Sequence, residues 1–226
     1  MSETKQESAW PDEKKSSMQD PHLIGQVPKW TVSAGILLIG VIYYFLPGEL
    51  TFGPTWVLLA IELALILPLW IFWVTGHTLS YKVTRRISFF VLGIVTLALA
   101  IGVFFLITHL ATFTSGITLL RTAVLLWLFN VLVFTLWYWD TDGGGPRKRH
   151  EAKHKAADLM FPQQANGASW APDFFDYLFV AFTAATAFSP TDTAPLTWLA
   201  KTLMMIEGII SLLIVAILIS RVANIF

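Results

Sequence analysis

Five stretches of this chain stay apolar for about as long as a helix needs to cross a bilayer, and this limits the fold more than any motif does. They run roughly from Trp30 to Leu46, Pro54 to Val74, Ile87 to His109, Leu119 to Trp139 and Trp198 to Val222. A hydrocarbon core about 30 Å thick takes a helix of about 20 residues, because a helix satisfies its own backbone polar groups there. The expected fold class is therefore an all-α membrane protein with about five transmembrane helices and the lipid bilayer as its surroundings. Composition agrees, at 55% hydrophobic and 13% charged residues with a mean hydropathy of +0.64, outside the usual balance of a soluble domain.

Several classes of function drop out at once. Fifteen basic and fifteen acidic side chains cancel, so no excess of positive charge points to nucleic acid. No cysteine is present, which removes disulfides, thiolate metal sites and cysteine catalysis. Residues 1–29 are polar and mixed in charge, without the apolar core of a secretory signal, and read as a flexible tail.

The first two runs are joined by "PGELTFG", a Pro/Gly turn that makes them antiparallel neighbours. Residues 30–113 then form a three-helix N-terminal bundle. Between the fourth and fifth runs lies a long polar connection, 140–172, followed by "DFFDYLFVAFTAATAF", which is apolar yet too short to span and reads as a re-entrant half-helix over 173–187. Lysines and arginines fix the orientation, since positive residues stay on the cytoplasmic side. With the N-terminus inside, 13 of the 15 are cytoplasmic and only Arg121 and Arg221 are outside. The expected location is the cell (inner) membrane, multi-pass.

From residue 114 onward the order is outer helix, polar turret, half-helix, loop over 188–195 and inner helix over 196–222. "DYLFVAFT", Asp176 to Thr183, and "DTAPLTWLAKTLMMIEGIISLLIVAILISRV", with its Asp192-x-x-Pro195 spacing and the pair Glu207 and Gly208, resemble the two-helix pore module of the potassium-channel superfamily. The resemblance implies a homo-oligomer, a tetramer by analogy, around a passive pathway for a small ion. It also implies that Glu207 sits behind the half-helix and supports it. Registered on Asp192, the superfamily's filter falls on Thr186, Ala187, Phe188, Ser189, Pro190 and Thr191. Both filter glycines are absent and Pro190 fixes its own backbone, so the glycine-dependent carbonyl geometry of a potassium filter is not expected. The charge count also places turret and loop on the cytoplasmic side, opposite to those channels. Across most of its length the chain resembles, in addition, a set of uncharacterised bacterial multi-span membrane proteins, through "WYWDTDGGGP" and "AFSPTDT"; that likeness implies no activity.

Individual residues carry the remaining expectations. Glu62, in "LLAIELALIL", is an acid at membrane depth, where a carboxyl normally faces the protein interior, finds a partner or stays protonated; it marks either a proton or ion pathway or a structural hydrogen bond. Glu207 has the same two readings, the structural one preferred. Asn130 is expected to make an interhelical hydrogen bond. Thr183, Thr186, Ser189, Thr191 and Thr193 form a hydroxyl series that either lines a constriction or caps backbone groups. Asp192 is a helix cap or a charge at a pore mouth, capping being the preferred reading. The stretch "HEAKH", with His150 and His154 as weak candidate metal ligands and Glu151 as general base, matches H-E-x-x-H. Arg149, Lys153 and Lys155 crowd it with positive charge, so a solvated charged helix near anionic headgroups is preferred to a zinc peptidase. No cofactor and no enzymatic activity is expected. The favoured function is a passive pathway for a small cation or proton. The alternative is a non-conducting scaffold whose axis is sealed by Phe188.

Overall fold

The computed structural model describes residues 29–51, 53–74, 81–110, 115–165, 170–186 and 192–222. Among them the chain is mainly helical: α1 Lys29–Tyr44, α2 Trp56–Val74, α3 Tyr81–Thr108, α4 Gly116–Thr141, α5 Pro146–Glu151, α6 Pro162–Ala165, α7 Phe174–Thr186 and α8 Trp198–Val222. Two short strands, β1 Leu159–Met160 and β2 Ala194–Pro195, pair antiparallel. Three helices among the described residues are long and apolar enough to cross a membrane, over Lys82–Thr108, Gly116–Gly144 and Trp198–Ser220.

The helix α4 is the hub. It packs against α1, α3, α7 and α8, and its central residues from Phe129 to Leu136 are buried on every side. A helix apolar all round belongs inside a bundle, and α4 is surrounded accordingly. The core is continuous, running from Ile39 and Tyr43 of α1 through Val95, Leu99 and Leu106 of α3 and Leu126, Phe129 and Val133 of α4 to Tyr177 and Val180 of α7 and Ile214 of α8. Close approach depends on small residues, as membrane helix pairs require. At Gly102 of α3 a Cβ would come 2.9 Å from Leu126 Cδ2 of α4.

One end of the bundle collects several helix ends. Arg85, in the second turn of α3, donates through its Nη1 to the carbonyl of Gly144 beyond the end of α4. A Cβ at Gly35, in the first half of α1, would meet the ring of Phe174 at the start of α7 at 2.8 Å. The start of α8 joins them because β2 pairs with β1. Hence Lys82, Arg85, Arg86, Arg147, Lys148, Arg149, Lys153, Lys155 and Lys201 all lie toward this end. The sequence places Lys82, Arg85 and Arg86 in a loop before a helix starting at Ile87. They instead form the first two turns of α3, since nothing in "SYKVTRRIS" breaks a helix and long basic side chains reach past a helix end to polar surroundings. The fourth run is longer than its apolar core for the same reason, and α4 extends from Gly116 to Thr141.

Candidate functional site

The half-helix α7 has 13 residues, about 20 Å at 1.5 Å per residue, well short of a bilayer. It lies between α4 and α8 and is fastened at both ends. At its start, Asp173 Oδ1 accepts from the backbone N–H of Phe175 at 2.8 Å and of Asp176 at 3.1 Å, while Asp176 Oδ2 accepts from the N–H of Asp173 at 2.7 Å. This reciprocal arrangement satisfies donors that a helix N-terminus leaves orphaned.

One turn later Tyr177, fully buried, donates its hydroxyl to Asp142 Oδ2 at 2.6 Å. Asp142 follows α4 directly and its other oxygen accepts from the N–H groups of Asp158 and Leu159, each at 3.1 Å. Asp158 in turn accepts from the N–H of Gly143 at 2.8 Å and from Thr197 Oγ1 at 2.7 Å. Beneath this pair Arg149 is buried, its guanidinium 4.8 Å from the Trp139 ring and 5.1 Å from the Tyr177 ring, donating to the carbonyls of Trp139 at 2.6 Å and Asp142 at 2.8 Å. The sharp reversal needed to bring Arg149 back under α4 runs through Gly143, Gly144 and Gly145, with φ of 58°, 77° and 99°, a region that costs glycine little. The polar turret is thus a tied frame that joins the end of α4, the start of α7 and the start of α8.

At the far end of α7, Ser211 of α8 donates to the carbonyl of Ala185 at 2.5 Å and accepts from Trp127 Nε1 of α4 at 2.9 Å. Ala185 is in the last turn of α7, where carbonyls lack an intrahelical partner, and one hydroxyl ties three helices together there. Glu207, one turn before Ser211 on α8, is fully buried. It accepts from Tyr138 Oη of α4 at 2.5 Å through Oε2, and its backbone carbonyl accepts from Asn130 Nδ2 at 3.2 Å. Asn130 thereby makes an interhelical bond, and Glu207 holds α4 to α8 one turn from the Ser211 tie that supports α7.

The hydroxyl series divides. Thr183 Oγ1 bonds the carbonyls of Phe179 and Val180, each at 2.9 Å, and Thr186 Oγ1 donates to the carbonyl of Thr183 at 3.1 Å. Both hydroxyl protons are therefore spent on the helix itself. Thr193 is buried and Asp192 exposed. The candidates Phe188, Ser189, Pro190 and Thr191 lie outside the described residues. Capping of α8 falls to Thr197, whose Oγ1 accepts from the N–H of Ala200 at 3.3 Å. Asp192 is too far before Trp198 to do so, because β2 intervenes.

The H-E-x-x-H stretch is not one helical face. The helix α5 ends at Glu151, and Lys153 and His154 adopt φ of 54° and 53°. The rings still meet, with His150 Nδ1 at 3.3 Å from His154 Nε2, while Glu151 pairs with Arg147 at 2.9 Å. Burial, then the charges of His150 and Arg149, hold the His154 imidazole below its ordinary value. Among the described residues no group of three or more His, Asp or Glu side chains is arranged to hold a metal ion. Glu62 is buried on α2, apart from the ties around α7.

Sequence reasoning missed Tyr138, Trp127, Tyr177, Asp142, Asp158, Arg149 and Ser211 as the residues that fasten the half-helix. The three glycines between Asp142 and Pro146 were the available signal, since such a run demands left-handed backbone and hence a built turn. The chain matches no family model, no curated protein and no solved structure.

Proposed function

We propose that the protein is a multi-pass membrane protein of five spans, N-terminus cytoplasmic, whose C-terminal module forms a passive pathway for a small cation or a proton around the axis of a homo-oligomer. The observation that carries this reading is α7 itself, an apolar half-helix too short to span, pinned at its start by Tyr177 and Asp142 and at its end by Ser211. Those ties hold the C-terminal end of α7 in place. A helix C-terminus carries partial negative charge, so cations rather than anions are favoured there. The order outer helix, turret, half-helix, inner helix supports the resemblance to the potassium-channel pore module, with a glycine-free loop that admits hydrated ions or protons rather than stripping potassium.

One copy of such a module encloses no axis, which is why an oligomer is part of the proposal, with a tetramer favoured. Phe175, Phe179 and Phe182 of α7 and Ile209, Leu212 and Leu213 of α8 are exposed on a single chain, supplying apolar surface for lipid or for further copies. Potassium, sodium and proton flux into proteoliposomes tests the pathway. A monomer in lipid, or no flux under any gradient, sinks it and leaves the non-conducting scaffold. The zinc-peptidase reading is set aside because His154 has left the helix of His150 and Arg149 adds positive charge beside both.

A further inference from the structure

The helix α2 packs chiefly on α1 and α3, not on the tied half-helix, and it carries a buried acid of a different character from Glu207. Glu62 is 1% exposed, and among the described residues no side chain bonds either carboxyl oxygen; the polar group set against it is the backbone of Gly40. The carboxyl lies against Gly40 of α1, where a Cβ would collide with Glu62 Oε2 and come 2.8 Å from Leu59 Cδ1. The missing side chain of Gly40 is the space that the carboxyl occupies.

The described titratable groups on the packed elements do not reach it. On α1 these are Tyr43, edge-on to Phe129 of α4, and the exposed Tyr44. On α3 they are Lys82, Arg85 and Arg86, at the end where Arg85 meets Gly144. His109, just past α3, contacts Phe105 and Thr108. None forms a hydrogen bond or ion pair with Glu62. A carboxylate without a charged partner in apolar surroundings is far more costly than the neutral acid, and the ligand that removes the charge without needing room is a proton.

We propose that Glu62 is a proton-binding site of the α1–α2 pair, loaded from and released to the aqueous phase. The inference rests on α1 and α2 being membrane-embedded, and not on conduction through the C-terminal module. The probe is dicyclohexylcarbodiimide, an apolar reagent, applied to the full chain in liposomes. The protonated carboxyl adds its O–H across one C=N bond to give an O-acylisourea, which rearranges by acyl migration from oxygen to nitrogen into a stable N-acylurea, with no other reactant consumed.

Peptide mapping is expected to find the adduct on Glu62, with its yield falling several-fold when the medium is made strongly alkaline, and with no adduct there from a water-soluble carbodiimide. Glu207→Gln leaves the Glu62 adduct in place. Gly40→Ala lowers its yield several-fold because the new methyl displaces the carboxyl. An unmodified Glu62 in the wild-type protein at every pH, or a yield indifferent to alkali, overturns the proposal. The wild-type map alone decides if Gly40→Ala fails to fold. Adducts without ion flux leave the site standing and remove only the pathway, whereas flux without adducts does the reverse.

Discussion

Tyr138 Oη of α4 lies 2.5 Å from Glu207 Oε2 of α8, so the acid expected to stand behind the half-helix is anchored to α4 rather than to α7 itself. Asn130, about two turns earlier on α4, holds the backbone of the same residue. Two bonds from one helix to one residue of another fix both separation and register. Tyr138→Phe leaves a fully buried carboxyl oxygen without its donor, and such a loss costs on the order of 1–2 kcal/mol. Thermal unfolding in detergent micelles is expected to show that drop, and a double-mutant cycle with Glu207→Gln is expected to show the two residues to be coupled.

Ser211 is the tie at the other end of α7. Ser211→Ala removes at once the donor to Ala185 and the acceptor for Trp127, at a cost of about 1 kcal/mol per lost bond. Because α7 retains its tie at Tyr177, the expected change is local. Amide exchange should speed up in the last turn of α7 while its first turn keeps its protection.

Arg149 is not replaceable by lysine. Its planar guanidinium faces two rings and reaches two carbonyls, which a point-like ammonium cannot reproduce. Arg149→Lys is expected to destabilise by about 2 kcal/mol and Arg149→Ala by about 3 kcal/mol, from lost charge-assisted hydrogen bonds and packing. Limited proteolysis between residues 150 and 165, next to the frame that Arg149 holds together, should then run faster than in the wild-type protein.

The turret also responds to acid. Folding depresses the affinity of His154 for a proton, so the folded protein binds fewer protons there than the unfolded chain. The stability contributed is present above the ordinary histidine value of about 6.5 and is lost as pH falls through the lower folded value. Unfolding temperature is expected to decline over that window, and His154→Gln is expected to flatten the decline.

Among the described residues, three of the five apolar runs are helices long and apolar enough to cross a membrane, legible because their signal is length and apolarity, which tertiary contacts do not reverse. Trp198 to Val222 matches α8 residue for residue, and the shortness of the 173–187 segment was readable before any fold was known. The ends were harder. Lys82, Arg85 and Arg86 look like loop residues by charge, but Arg85 finds a carbonyl on another segment, and no local pattern announces a partner about sixty residues away. The turret was opaque for the same reason, since Asp142, Asp158, Tyr177 and Thr197 become a network only after α4, α7 and α8 share one end. Glu62 and Glu207 both read as buried acids. What separates them is a tyrosine opposite one and a glycine opposite the other, and that pairing belongs to the packing.

Ion and proton flux into liposomes containing the purified protein tests the proposed pathway most directly, with potassium, sodium and proton gradients imposed in turn. Flux well above that of empty vesicles, favouring cations over anions, lacking strict potassium selectivity and reduced by Ser211→Ala, is the predicted result. Vesicles that hold folded oligomer and remain as tight as empty ones under every gradient would contradict it.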